Sequence, residues 1–200
     1  MTLKQLIKKF LTTYSMKTKF ILHGGFDKSL GPHQNDEFFS QILKDTPNEV
    51  KLLLVYFAER EEMIAARIEQ DKEQFTKNNG SKSIDFRVTS PETFVADCKW
   101  ADAIYLHGGK TTKLMEALQN FPNMKELFSG KVIAGDSAGA NVLAQYFFSK
   151  NSQVVGKGFG ILPFKVIVHY EDGKPNPLAD IAPELETLFL REYETKVFYL

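Results

Sequence analysis

The 200-residue chain has only one cysteine, Cys98, and no net charge, because its 25 Lys and Arg balance its 25 Asp and Glu. One cysteine excludes an internal disulfide framework and a metal site built from several cysteines, and it fits a reducing cytoplasm. The sequence has no basic stripe and no acidic tail. The charge pattern therefore gives no reason to expect a nucleic acid or an anionic membrane as partner, and a small molecule is expected instead.

The chain also lacks a long apolar run. No stretch approaches the roughly 18 residues that a membrane-spanning helix needs. Residues 1–15 are basic and amphipathic, but lysines interrupt them before the apolar core of a signal peptide can form. We predict a surface appendage at residues 1–15 and a single domain over residues 16–200, because a hydrophobic content of 43% at this length suffices for one core.

Short apolar runs alternate with amphipathic stretches along the chain. The predicted strands cover residues 19–22, 50–58, 83–88, 102–106, 131–134, 164–169 and 196–200. The predicted helices cover residues 35–43 and 61–75, a short stretch from Pro91, the surroundings of residues 114–118, a segment after Ser137, and residues 176–193. This alternation predicts an α/β fold with three layers, in which helices cover both faces of a mostly parallel, doubly wound, flavodoxin-like sheet.

Ser137 stands where a predicted strand meets a predicted helix, and its neighbours are small: Gly135, Ala138, Gly139 and Ala140. A sharp turn from strand to helix needs small neighbours if it is to present one hydroxyl above the sheet. The backbone N–H groups that begin the helix would face the same point and could hold an oxyanion. The pattern favours a nucleophile elbow. The alternative is a tight turn in which Ser137 only caps the helix.

Histidines end three of the predicted strands. His23 and His107 each precede a Gly-Gly pair, and His169 is the only histidine that follows Ser137. Ligands of such sheets bind beyond the carboxyl ends of the strands. We expect His169 to share that edge with Ser137, where an imidazole could take the serine proton near neutral pH. His23 and His107 are interpreted as structural or rim residues, because no third ligand clusters with them to hold a metal.

Three segments carry a family resemblance. Residues 105–111 (YLHGGKT) combine a strand with Gly-Gly-x-Thr, residues 135–141 (GDSAGAN) form the elbow, and Val168 and His169 end a later strand. Together they resemble the dipeptidase E (aspartyl dipeptidase) and cyanophycinase group of serine peptidases, within the class I glutamine amidotransferase-like fold. The resemblance extends over roughly residues 17–200, and the second motif is the most specific.

The resemblance implies a hydrolase of small peptides, with a preference for an N-terminal Asp. We expect no cofactor and no metal. The resemblance makes Ser137 the nucleophile and His169 the general base, with the backbone N–H groups of Gly109 and Ala138 as oxyanion donors. These roles agree with chemistry, since a serine hydroxyl is a weak nucleophile until a neighbouring imidazole takes its proton.

The third member of the family's triad is an acidic residue shortly after the serine, and here residues 149–152 (SKNS) contain no carboxylate. Asn151 could orient an imidazole without charge, as an Asn does in some cysteine proteases. Glu171 or Asp172 could serve instead from beside His169. A dyad of Ser137 and His169 is the remaining alternative.

A preference for an acidic N-terminal residue requires a cation near the strand ends. Arg60, which follows the predicted strand at residues 50–58, is our hypothesis, and Lys110 beside the oxyanion loop is the alternate. The ordinary alternative for Arg60 is a solvated charge among neighbouring glutamates. The sequence leaves a homodimer open and does not specify the peptide.

Two other functions compete with the peptidase. Esterases of the hormone-sensitive-lipase type, which are α/β-hydrolases, also combine Gly-Asp-Ser-Ala-Gly with an upstream His-Gly-Gly, but they place their acid and histidine on separate later strands. A non-catalytic binding protein on the same scaffold is the third class. A phosphate-binding loop at Gly109 is excluded, because Ile104 stands where the first glycine of that motif belongs.

Overall fold

The structure, a computed structural model, describes residues 17–26, 35–121, 123–150 and 152–200. Within these ranges the strands are β1 (Lys19–His23), β2 (Glu49–Val55), β3 (Ser83–Val88), β4 (Ala103–Leu106), β5 (Val132–Asp136), β6 (Tyr146–Ser149), β7 (Val154–Lys157), β8 (Lys165–Ile167), β9 (Thr187–Phe189) and β10 (Thr195–Tyr199). The helices are α1 (Asp36–Lys44), α2 (Glu61–Lys77), α3 (Phe94–Trp100), α4 (Thr111–Leu118), α5 (Met124–Phe128) and α6 (Ala138–Leu143). The predicted appendage at residues 1–15 lies outside the described residues.

A six-stranded sheet with the order β10-β1-β5-β4-β2-β3 is the centre of the fold. Five of its strands are parallel, and β10 pairs antiparallel with β1 at one edge. The predicted α/β fold with a mostly parallel sheet is confirmed. None of the helices in the described ranges is long and apolar enough to cross a membrane.

Successive residues of the central strands pack into two separate cores. Leu53, Ile104 and Ile133 face one core, which α3, α4, α5 and α6 cover. Leu52, Leu54 and Tyr105 face the other core, which α1 and α2 cover. Strands that are buried on both faces read as continuous apolar runs, which is why the sequence identified them well. The result is three layers, with helices on both sides of the sheet.

A second sheet, the small sheet, has the strand order β7-β6-β8-β9 and was not predicted. The helical pattern after Ser137 ends at Leu143, and the chain continues as β6 rather than as helix. In this sheet the buried ring of Phe147 lies over Gly156 of β7, where a Cβ would come within 2.3 Å of it. Strand pairing and this close contact override the local helical pattern.

The helix predicted at residues 176–193 is wrong, because the segment forms turns and the short strand β9. Pro183 has no N–H to give to a helical partner. The carbonyls of Leu178 and Ile181 accept hydrogen bonds from the buried Lys165 ammonium, at 3.0 and 2.8 Å. Through these hydrogen bonds Lys165, a residue of β8, holds the segment against the small sheet.

The strand order decides which loops meet at the carboxyl edge of the central sheet. β1 and β4 flank β5, so the Gly-Gly loops that follow β1 and β4 lie on either side of Ser137. The chain leaves β2 towards β3 on one side and leaves β4 towards β5 on the other side, and open α/β sheets bind ligands at such a switch point of the strand order. The edge beyond β1, β5, β4 and β2 is therefore the expected place for a site.

We expect Lys165→Met to lower the free energy of unfolding by about 2 to 4 kcal/mol, because the substitution leaves one buried and one partly buried carbonyl without their donor. Urea denaturation followed by circular dichroism measures the change. Lys157→Met is the matched control, since Lys157 is an exposed lysine of the same sheet, and it should change stability by less than about 0.5 kcal/mol. Equal effects of the two substitutions would contradict the anchoring role of Lys165.

Candidate active site

Ser137 occupies a sharp turn between β5 and α6, with φ 44° and ψ −95°. A positive φ is strained for a residue with a side chain, and such strain is characteristic of a nucleophile elbow. Glycines make the turn fit: a Cβ at Gly135 would lie 2.5 Å from Gly139, and a Cβ at Gly139 would lie 2.5 Å from the Leu106 carbonyl oxygen. The Ser137 hydroxyl makes no capping hydrogen bond to α6, so it is not used as a helix cap.

The structure brings Ser137 and His169 together. The Ser137 Oγ lies 3.0 Å from His169 Nε2, although the two residues follow strands of different sheets. His169 also has a positive φ, 52°, and its ring packs against Gly25, where a Cβ would come within 2.1 Å of the imidazole. A glycine at residue 25 is therefore needed for the imidazole to reach the serine.

Three successive carbonyls, at and just after the end of β1, hold the residues around this contact. The His23 carbonyl accepts from the Ser137 N–H at 3.0 Å, and the Gly24 carbonyl accepts from the His169 N–H at 2.9 Å. The Gly25 carbonyl accepts from the N–H of Tyr193 at 2.8 Å. The end of β1 and the loop after it thus position the segments of His169 and Tyr193 against the turn that follows β5.

Glu192 provides a carboxylate next to the histidine, and sequence reasoning missed it. Its Oε1 lies 3.3 Å from His169 Nδ1, on the side of the ring opposite Ser137. Both side chains are partly open to solvent, with 21% of His169 and 38% of Glu192 exposed. Glu192 lies in the segment that was predicted to be helical, so no local pattern could have placed it beside the imidazole.

The other proposed partners of His169 lie elsewhere. In the described part of the chain, the Glu171 carboxylate pairs with Lys150, whose hydrogen bond lowers its pKa. The Asp172 carboxylate accepts from Arg191 Nε at 3.0 Å, and this hydrogen bond likewise lowers its pKa. The structure therefore does not bring Glu171 or Asp172 to His169. Asn151 lies outside the described residues.

The predicted oxyanion donors lie near Ser137, since Ala138 follows it directly and Gly109 borders the same cleft. Gly109 has φ 141°, and a Cβ there would lie 2.5 Å from the Ala58 carbonyl oxygen. The same carbonyl accepts from the Lys110 N–H at 2.9 Å and holds the loop in place. The Gly109 N–H donates to no backbone carbonyl of the described residues. The Ala138 N–H is the first of α6, and the first N–H groups of a helix have no partner within it. The role of both as oxyanion donors stays a prediction.

A cleft of about 510 Å³ opens at these residues. Its charged lining combines both signs, from Glu59, Arg60, Arg67, His107, Asp136, Lys150, His169 and Glu192. Arg60 is on the rim, with 72% of its side chain exposed and its guanidinium 3.5 Å from Glu62. Lys110 is exposed and, within the described ranges, does not line this cleft.

A buried group of charges forms the floor of the cleft. His107 Nδ1 lies 2.8 Å from Asp71 Oδ2, and the same carboxylate oxygen accepts from the Tyr56 hydroxyl at 2.9 Å. Burial opposes the charged form of His107, but the hydrogen bond and charge of Asp71 outweigh it and raise the pKa of His107. Glu59 accepts from Arg67 Nε at 3.3 Å beside it. The floor therefore carries fixed positive as well as negative charge.

Asp136, the residue before the nucleophile candidate, pairs with His23 at 2.7 Å in a buried contact. Burial raises the pKa of this carboxyl group, but the hydrogen bond and charge of His23 prevail and lower it. The His23 ring stacks on Phe38 at 4.4 Å. The second carboxylate oxygen of Asp136 fills the space where Gly108 would carry a Cβ, 2.7 Å away. Asp136 thus contacts both Gly-Gly loops, because it pairs with His23 before one loop and packs against Gly108 of the other.

Two solved structures share the fold. A peptidase from an acI-B1 Actinobacterium is 24% identical with a TM-score of 0.63, over 92% of this chain and 84% of that chain. A protein named as a Peptidase E from Listeria monocytogenes EGD-e is 16% identical with a TM-score of 0.61, over 92% of this chain and 98% of that chain. These similarities establish the α/β fold.

The sequence itself identifies the family. No curated protein sequence matches the chain significantly. Residues 20–191, which include the elbow, both Gly-Gly loops and His169, match the sequence model of peptidase family S51. The chain therefore belongs to peptidase family S51 and is a serine-type peptidase.

Proposed function

We propose that this peptidase hydrolyses small peptides, with Ser137 as its nucleophile and His169 as its general base. The observation that carries the proposal is the 3.0 Å contact between the Ser137 Oγ and His169 Nε2, in a cleft that Gly109 also lines. Membership of a peptidase family disfavours an esterase and a binding protein without activity.

The proposed reaction begins when the Ser137 Oγ attacks the carbonyl carbon of the scissile peptide while His169 Nε2 takes the hydroxyl proton. The carbonyl oxygen becomes an oxyanion, which accepts hydrogen bonds from the N–H groups of Gly109 and Ala138. As the C–N bond breaks, His169 returns the proton to the leaving amine. Water then attacks the acyl-serine with His169 as base, and the acid product and the free hydroxyl are released.

Glu192 is the third member of the proposed triad. Its carboxylate holds the imidazole with Nδ1 protonated, so that Nε2 faces the serine, and it stabilises the imidazolium during catalysis. Because the carboxylate is partly exposed and its contact is 3.3 Å, we expect a smaller contribution than from the buried aspartate of other serine peptidases.

The side of the cleft that holds the acyl part of the substrate is rich in cations. Arg67 pairs with Glu59, and His107 with Asp71, in largely buried contacts, whereas Arg60 is on the rim and its ion pair with Glu62 is exposed to solvent. Arg60 is therefore the proposed partner for the side chain of an N-terminal Asp, through the bidentate pairing that a guanidinium makes with a carboxylate. The position of Lys110 away from the cleft makes it the weaker candidate.

Ser137→Ala should abolish labelling by a fluorophosphonate probe and lower dipeptide hydrolysis by about a thousandfold or more, because the nucleophile is removed. In-gel fluorescence and an amine-release assay measure the two effects, and an unchanged melting temperature shows that the variant folds. Ser40→Ala, at an exposed serine of α1, should label like the wild type. A wild-type protein that neither labels nor cleaves would refute the proposal.

Glu192→Gln should lower kcat by about 10- to 100-fold and change KM by less than about threefold, because the imidazole loses its orienting charge but substrate contacts remain. Glu171→Gln and Asp172→Asn are compared with it as controls, since these carboxylates bind Lys150 and Arg191 rather than His169. Steady-state kinetics on the three variants separates the candidates. A larger loss of kcat in either control than in Glu192→Gln would transfer the role to that residue.

Arg60→Gln should raise KM for Asp-Ala by about 10- to 100-fold and leave Ala-Ala within about twofold, because only the acidic side chain loses its cation. Lys110→Gln is the control and should leave both substrates unchanged. The measurement is a comparison of kcat/KM for the two dipeptides. An unchanged preference in Arg60→Gln would dispose of this assignment.

A further inference from the structure

A second cleft, of about 560 Å³, adjoins the active-site cleft. The two clefts share only His169 and Lys150 among their described lining residues. The walls of the second cleft are mainly apolar, formed by Phe148, Ile167, Val168, Tyr170, Pro175 and Pro177. Lys150, Gln153, Glu171 and Lys174 add polar groups. The imidazole thus separates a charged cleft from an apolar one.

Secondary structure fixes one wall of this second cleft. Phe148 of β6 and Ile167 of β8 are partners in a parallel pair, so their side chains lie on the same face of the small sheet. The opposite face of β6 and β8, with Phe147 and Val166, packs into the core. The face that carries Phe148 is therefore left to line the cleft.

The opposite wall is the segment from Tyr170 to Pro177, and contacts within the described residues hold it in place. The Tyr170 ring packs on Phe189 at 4.5 Å, and its hydroxyl donates to the Lys174 carbonyl at 3.2 Å. Beyond the segment, the Leu178 carbonyl accepts from the Lys165 ammonium. The cleft is thus formed before any ligand arrives, which lowers the entropic cost of binding.

The proposed chemistry orients a peptide across the two clefts. The acyl part lies on the side of Gly109 and Arg60, where the oxyanion donors and the cations are. The leaving amine must lie against His169, because the imidazole gives it a proton. The residue on the C-terminal side of the scissile bond then continues past His169, into the apolar cleft.

We propose that the second cleft is the subsite for this leaving residue and that it selects an apolar side chain of about the size of Leu or Phe. The subsite rests on the proposed function. Lys150, at the junction of the clefts, supplies a cation for the free carboxylate of a dipeptide and exchanges its pairing with Glu171 for it. The protein is thereby a peptidase for short peptides with an apolar residue after the scissile bond.

The test is a comparison of kcat/KM for Asp-Leu with Asp-Gly, and for Ala-Leu with Ala-Gly. The wild type should favour Leu over Gly by roughly 10- to 100-fold in each pair, as a hydrophobic pocket does for several added methylenes. Phe148→Ala should reduce this ratio at least about fivefold, and the milder Phe148→Leu should reduce it less. The ratio is independent of the fraction of enzyme that is folded.

Tyr146→Ala is the matched control, because Tyr146 lies two residues earlier on the same strand and face and does not line the described cleft. It should leave the ratio within about twofold. A wild type that cleaves Leu and Gly dipeptides equally, or equal losses of the ratio in Phe148→Ala and Tyr146→Ala, would overturn the subsite alone. Failure to cleave any of the four dipeptides, together with an unlabelled Ser137, would overturn the proposed function and the subsite with it.

Discussion

The site depends on one short stretch of backbone after β1. Consecutive carbonyls of His23, Gly24 and Gly25 accept the N–H groups of Ser137, His169 and Tyr193. Hydrogen bonds of this kind are directional, so they fix the separation of three chain segments that are far apart in sequence. The glycines are required because a Cβ at residue 24 would come within 1.9 Å of the Arg191 carbonyl oxygen, and one at residue 25 would meet the His169 ring.

Buried ion pairs stabilise the same carboxyl edge of the central sheet. His23 ends β1 and His107 follows β4, the two strands that flank β5, and each histidine pairs with a buried carboxylate, Asp136 and Asp71 respectively. Removing one partner of such a pair leaves an uncompensated charge in a medium of low polarity, which is costly. The conformation of the Gly-Gly loops therefore depends on these buried pairs. The pairs also explain why polar residues stand at the ends of otherwise apolar strands.

The sequence predicted the features that local pattern controls. β2 was recognisable because burial on both faces makes it a nearly continuous apolar run. β3 was recognisable because a turn signal precedes it, and the small residues around Ser137 marked the elbow. The small sheet was missed because β6 and β7 depend on a contact between Phe147 and Gly156. Glu192 was missed because its place beside His169 is set by tertiary hydrogen bonds of a segment without regular structure. The roles of the site residues stay predictions until they are measured.

Ser137 and His169 follow strands of two different sheets, and this division has a consequence for how the protein loses function. Proteins open in cooperative parts, each with its own free energy, before they melt as a whole. An opening that moves the four-stranded sheet away from the end of β1 withdraws the imidazole and uncovers the core that Phe147 and Val166 fill, while the other core, under α1 and α2, stays closed. Such an opening inactivates the enzyme while part of the chain is still folded.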